Sequence, residues 1–127
     1  IISIIPNVLN LTYVQNTGAA FGIGNNSTSM FIIVNVIVIG LIVYFIFSKK
    51  EEISKAILIS LHLIIAGGIS NLIDRIIRGY VIDYIDISQL IKYPVFNLAD
   101  IFIVIGCIII AICIIKDNVA KKKKVGE

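Results

Sequence analysis

LADIFIVIGCIIIAICII, residues 98–115, holds a single charged side chain, Asp100, in eighteen positions. At ~1.5 Å per residue such a helix is about 27 Å long, just enough to cross a hydrocarbon core of about 30 Å. Two further stretches have the same length and character, Met30 to Phe47 and Ala56 to Ile73. The chain is 127 residues with 58% hydrophobic residues and a mean hydropathy of +1.02. That lies outside the roughly 45–50% apolar content of soluble domains and excludes a water-soluble globule. One domain, residues 1–127, follows: an all-α membrane bundle with three transmembrane helices at 30–47, 56–73 and 98–115, an outer segment 1–29 and a tail 116–127.

Orientation follows from charge. Lys49, Lys50 and Lys55 lie between the first two apolar stretches, and Lys116 with Lys121 to Lys124 follows the last. By the positive-inside rule these ends are cytoplasmic. Residues 1–29 carry no charged side chain, and they share the opposite side with the loop from Asp74 to Asn97. Asp74, Asp83, Asp86 and Asp100 therefore gather toward the outer face. Three spans with a basic tail inside put Ile1 outside, which leads to the expectation of a further helix upstream. The lysine run reads as a topology anchor attracted to anionic lipid; membrane lipids are expected partners and nucleic acid is not.

Between the spans, Val8 to Gln15 alternates, with Leu9, Leu11 and Tyr13 on one face and Asn10 and Thr12 on the other. This is the period of a half-buried strand lying on the membrane surface. The Gly-rich polar stretch from Asn16 to Ser29 has loop chemistry and is the expected moving element, with Ser29 capping the first helix. The small residues of the stretch that begins Gly67-Gly68 permit close contact with another helix, with Ala66 and Ser70 a small-xxx-small pair; Asn71, Arg75 and Arg78 share a helix face, and Gly79 stops the second helix. Tyr80 to Ile87 fits a strand or irregular chain. A strand turns Asp83 and Asp86 to opposite sides, a helix to the same side. Cys107 and Cys113, six apart, point about 240° from each other and cannot bridge. No Cys/His metal spacing is present. His62 is expected to bond a neighbouring helix, and neither Ser60 nor Ser70 has an adjacent base to make it a nucleophile.

An ionisable group at the edge of hydrocarbon is expensive, so Asp83 and Asp100 draw the eye. Asp100 reads equally as the third residue of a capping box opened by Asn97, a role compatible with catalysis because it fixes the rotamer. Asp83, set among Val81, Ile82, Tyr84 and Ile85, is a less natural solvated charge than Asp86. Asp74 and Arg75 read as an interfacial pair or as a fork for carbonyls and carboxylates. Asn16 and Asn71 read as turn and helix-end residues or as amides that hold a peptide backbone. Two aspartates that meet are the minimal equipment for acid/base hydrolysis; the alternative is a small transport subunit with Asp83 and Asp100 relaying protons or ions.

Four blocks in register, Asn16 to Gly22, Gly67 to Arg75, Gly79 to Asp86 and Pro94 to Asp100, make the chain resemble bacterial lipoprotein signal peptidase, or signal peptidase II. The resemblance implies an aspartic endopeptidase of the cytoplasmic membrane, with four transmembrane helices and a small extracytoplasmic β-cradle. Its substrates would be diacylglyceryl-modified prolipoproteins, cut just before the lipid-modified cysteine, with no cofactor and no metal. By motif position, Asp83 and Asp100 would be the catalytic pair. Asn16, Gly18, Asn71, Asp74, Arg75 and Asn97 would support the site and the substrate, and the stretch after Asn16 would be a lid. The family's first helix, with its Asp-Gln-x-x-Lys pattern, has no counterpart in these residues.

Overall fold

A computed structural model describes residues 1–18, 27–49 and 51–125. In chain order these form β1 (Ile2–Ile5), β2 (Leu9–Asn16), α1 (Ser27–Ser48), α2 (Lys55–Arg78), β3 (Val81–Asp86) and α3 (Leu98–Val125). The segments Thr28–Ser48, Lys55–Arg78 and Leu98–Lys121, of 21, 24 and 24 residues, are each long and apolar enough to cross a membrane. The protein is a multi-pass membrane protein. Every helix overruns its apolar stretch, and α3 continues through the basic segment to Val125. The residues proposed for the lid fall largely at 19–26, outside the described residues.

Capping explains where the helices start and stop. Ser54, with extended backbone at φ −65° and ψ 152°, accepts the Ile57 N–H on its hydroxyl and opens α2. Gly79 closes it in the left-handed region at φ 80°, its N–H bonded to the Arg75 carbonyl at 3.0 Å, a conformation that costs glycine nothing. Ser29 does not cap α1; the helix already begins at Ser27. α2 is the central helix, and glycines set its contacts. A Cβ on Gly67 would run into the Ala99 carbonyl of α3, and one on Gly106 would come within 2.7 Å of the Ser60 carbonyl. On α1, Asn35 donates to the Gly68 carbonyl at 2.9 Å. The small residues that begin at Gly67 and Gly68 thus make close helix contacts, joined by Gly106 of α3, since only residues without a Cβ admit backbone so closely. His62, expected to reach another helix, bonds the Leu58 carbonyl of its own helix at 2.7 Å.

The sheet is antiparallel in the order β1-β2-β3. It closes the end of the bundle at which α2 stops and α3 starts. β1, Ile-Ser-Ile-Ile, has no alternation to reveal it, but β2 lies where periodicity puts a strand. Asn10, 5% exposed, lies opposite Asp86 and hydrogen-bonds its carboxylate, whereas Tyr13 is 60% exposed. An irregularity between Leu11 and Val14 shifts the register, and Asn16 beyond it reaches Asp83. Burial favours polar groups throughout. Among the described residues the buried apolar side chains are Leu61, Val81 and Ala99, whereas Asn10, Ser60, Asn71, Asp83 and Asn97 are buried polar ones. Lipid is as apolar as leucine, so burial is reserved for groups that need hydrogen bonds.

Candidate active site

Asp83 sits in the middle of β3, with Val14 of β2 opposite. On the other flank, the chain approaching α3 joins the sheet as a bridge: the Phe96 carbonyl accepts the Tyr84 and Ile85 N–H groups at 3.0 and 2.8 Å, and the Phe96 N–H donates to the Ile85 carbonyl at 3.1 Å. This bridge puts Asn97 beside Asp83 and points α3 away from the sheet. The strand reading of Tyr80 to Ile87 holds, and the two acids part as a strand requires. Asp83 turns inward, 2% exposed. Asp86 turns out of the site, and its Oδ1 accepts the Ser88 N–H at 2.8 Å; hydrogen bonds from the Ser88 side chain and then its backbone hold the Asp86 pKa below the usual carboxylate value.

Asn97 and Asp100 form the capping box that their spacing suggests. The Asp100 N–H donates to Asn97 Oδ1 and the Asn97 N–H to Asp100 Oδ2, both at 3.1 Å. The amide left over does the joining. Asn97 Nδ2 donates to Asp83 Oδ1 at 2.7 Å and to Asn71 Oδ1 at 3.2 Å, and Asn71 Nδ2 donates to Asp100 Oδ1 at 2.9 Å. The second Asp83 oxygen takes Asn16 Nδ2 at 2.9 Å, and Asn16 Oδ1 is fixed by the Gly18 N–H at 2.8 Å. Gly18 itself adopts φ +84° against the Phe31 ring of α1. Each carboxyl group thus receives two N–H donors, and three asparagines from β2, α2 and the start of α3 hold the two acids in one polar cluster. Burial raises the Asp83 pKa; the amides of Asn16 and Asn97 oppose that, and the nearby Asp100 charge adds to it.

Asp74 and Arg75 occupy the last turn of α2. Asp74 pairs with Arg78, and its Oδ2 accepts the Ile82 N–H at 3.3 Å, tying α2 to the residue before Asp83. Arg75 lies over the Phe31 ring, 5.1 Å from its centroid, with Nη1 donating to the Asn71 carbonyl at 3.4 Å. Its Nε is buried with no hydrogen-bond partner. Phe31 and Asn35, which brace this region from α1, carry no sequence signal, because a lone aromatic or amide in an apolar run reads as filler. Thr28 likewise holds the start of α1, its hydroxyl 3.0 Å from the Gly79 carbonyl.

Among the described residues, three cavities border the cluster. One of about 350 Å³ is lined by Ser70, Asn71, Asp74, Arg78 and Asn97 among others. One of about 250 Å³ runs along Gln15, Asn16 and Asp83 under Pro94 and Val95. The third, about 270 Å³, is apolar and has Asp100 in its wall. Among the described residues no group of three or more His, Cys, Asp or Glu is placed to hold a metal ion.

These features define a multi-pass membrane protein whose polar centre, a pair of carboxyl groups, lies where a small sheet caps the bundle. The sequence pattern of the family described as signal peptidase (SPase) II matches residues 1–116. The chain is 43% identical over 117 residues to a lipoprotein signal peptidase of Caldicellulosiruptor bescii, covering 92% of this chain and 74% of that protein. It is 38% identical over 122 residues to one of Staphylococcus aureus strain N315, covering 95% and 74%. Two solved structures of a bacterial membrane enzyme, obtained by the in meso method at 2.3 and 1.9 Å, superpose with TM-scores of 0.82 each. They are 36% and 37% identical, and the match covers 92% and 91% of this chain and 71% and 74% of theirs. The chain belongs to the signal peptidase II family.

Proposed function

We propose that this protein is an aspartic endopeptidase that removes the signal peptide from prolipoproteins, cutting before the lipid-modified cysteine, with Asp83 and Asp100 as its catalytic pair. The observation that carries this is the amide bridge: Asn97 holds Asp83 by its side chain and Asp100 by its backbone, at the end of an apolar bundle where a membrane-anchored peptide arrives. Two carboxyl groups sharing a site do not both ionise cheaply, so one keeps a proton. The ionised member of the pair takes a proton from a water molecule as that water attacks the scissile carbonyl carbon. The protonated member hydrogen-bonds the carbonyl oxygen, and the proton gained by the ionised member passes to the leaving amine as the C–N bond breaks. Asn16, Gly18, Asn71, Asp74, Arg75 and Asn97 support the pair and the bound peptide.

The lysine-rich ends of α1, α2 and α3 lie at the end of the bundle opposite the sheet, which supports an extracytoplasmic site in the bacterial cytoplasmic membrane. The relay alternative is not favoured, because a relay wants acids near the bilayer midplane and these lie where α2 ends and α3 begins. Incubation of the purified protein with a diacylated prolipoprotein peptide and its unlipidated counterpart tests the reading. Cleavage on the amino side of the lipidated cysteine is expected. Proton flux across vesicles with no cleavage would replace the peptidase by the relay.

A further inference from the structure

Arg75 stands beside the acid pair without being held by either acid. Its charge acts on Asp100 and Asp83, yet among the described residues both carboxyl groups take their hydrogen bonds from asparagines. Within the same residues the guanidinium reaches only the Asn71 carbonyl, from Nη1 at 3.4 Å, and its buried Nε has no partner. So long a side chain keeps several rotamers open unless something else seats it. The ring of Phe31 does so: the guanidinium carbon lies over it, 5.1 Å from the centroid. The ring is itself confined. Phe31 sits between two ties of α1 to α2, the Thr28 hydroxyl on the Gly79 carbonyl at 3.0 Å and the Asn35 amide on the Gly68 carbonyl at 2.9 Å. Its Cδ2–Cε2 side backs onto Gly18, where a Cβ would collide with it. An aliphatic side chain would suit an apolar span equally well at this position, but it would offer a cation no π-face.

We propose that Phe31 is a positioning residue whose π-face seats the Arg75 guanidinium beside the catalytic pair, an inference that rests on the aspartic peptidase reading and deepens it. The ring attracts the cation over its face, whereas the N–H groups of a guanidinium lie in its plane. Arg75 is therefore fixed in place with its donors still free for peptide carbonyls. A carboxylate in place of the ring would occupy those donors and add a negative charge beside two acids. The buried Nε is costly while it lacks an acceptor, and a bound peptide removes that cost. Seating matters to the rate because a group displaced by about 1 Å can lower it about a hundredfold.

The test weakens the π-face without removing the ring. In the protein held in lipid nanodiscs, Phe31 is replaced by phenylalanines carrying one, two and three ring fluorines, which nearly keep its size while draining the negative charge from its face. Turnover of a diacylated prolipoprotein peptide should fall with each fluorine, by about tenfold in all, the worth of a partly desolvated cation–π contact. A ring that only fills space gives the same turnover across the series, and that result would overturn the proposal. In an Arg75→Gln background the fluorines should make no further difference; equal losses with and without Arg75 would also overturn it. A second readout needs no activity. The Arg75 Nε–H resonance should be displaced by the ring current of Phe31 and should move toward the ordinary arginine position in Phe31→Leu; a resonance unmoved by that change would sink the seating argument. Failure of wild type to cleave the peptide would overturn the peptidase reading itself, and the resonance would then still decide whether Phe31 seats Arg75.

Discussion

Replacing Asn97 separates what holds α3 from what holds the acids. Asn97 is 4% exposed, and its side chain accepts the Asp100 N–H and donates to Asp83 and Asn71. Asn97→Ala removes a helix cap, about 1 kcal/mol, and the donor to a buried carboxyl oxygen, about 1.5–3 kcal/mol. The long contact to Asn71 adds about 0.5 kcal/mol. Losses within one network do not add fully, so the expected destabilisation is about 3 kcal/mol, roughly a hundredfold in the folding equilibrium. Asn97→Ser keeps a capping oxygen but cannot reach Asp83. It should regain about 1 kcal/mol of stability and none of the activity, because the acids still lack their bridge; both variants should lose about a hundredfold in kcat. Unfolding in detergent micelles and cleavage of a diacylated peptide read the two effects separately. A serine variant with near-normal turnover would reduce Asn97 to a cap and refute the bridging argument.

Gly106→Ala puts a Cβ 2.7 Å from the Ser60 carbonyl and from Ile64 and should cost about 1–3 kcal/mol. Gly40→Ala, with nothing within 4 Å, should be neutral or stabilising by about 0.5 kcal/mol; unfolding of both variants decides. The raised Asp83 pKa has a signed consequence: the folded state binds a proton that the unfolded carboxyl has released, so between its ordinary pKa near 3.9 and the raised folded value, stability falls as pH rises. Melting temperatures from about pH 4 to about pH 8 should show wild type losing ground to Asp83→Asn over that window, and the opposite trend would refute the burial argument. Asp86→Asn retains an oxygen for the Ser88 N–H and, facing away from the acid pair, should leave turnover within about twofold; a large loss would mean that Asp86 belongs to the site.

The helices were legible because eighteen apolar residues have few other uses, and the Asn97/Asp100 box because capping is local in sequence. The strand at Tyr80 to Ile87 was half legible, its alternation weak. β1 was hidden by a pattern with no polar partner positions, and the irregularity between Leu11 and Val14 that shifts the register of β2 leaves no mark in its alternation. The close helix contact at Gly67 was legible from its run of small residues, but its counterpart Gly106, a lone glycine in an apolar run, was not. The family blocks pointed to the site residues, yet the bond from Asn16 to Asp83 spans 67 positions, and no local pattern encodes it. Nor does any pattern show that asparagines, rather than Arg75, hydrogen-bond both acids.

The central claim is that Asp83 and Asp100 act as one unit in cleaving a lipidated substrate. The direct measurement is turnover of a diacylated prolipoprotein peptide by Asp83→Asn, Asp100→Asn and the double variant, each shown to be inserted and folded. Each single change should lower the rate by at least 10² to 10⁴, the usual worth of general acid/base catalysis, and the double variant should be little worse than either alone. Near-normal turnover by either single variant, or losses that multiply in the double, would contradict a paired mechanism.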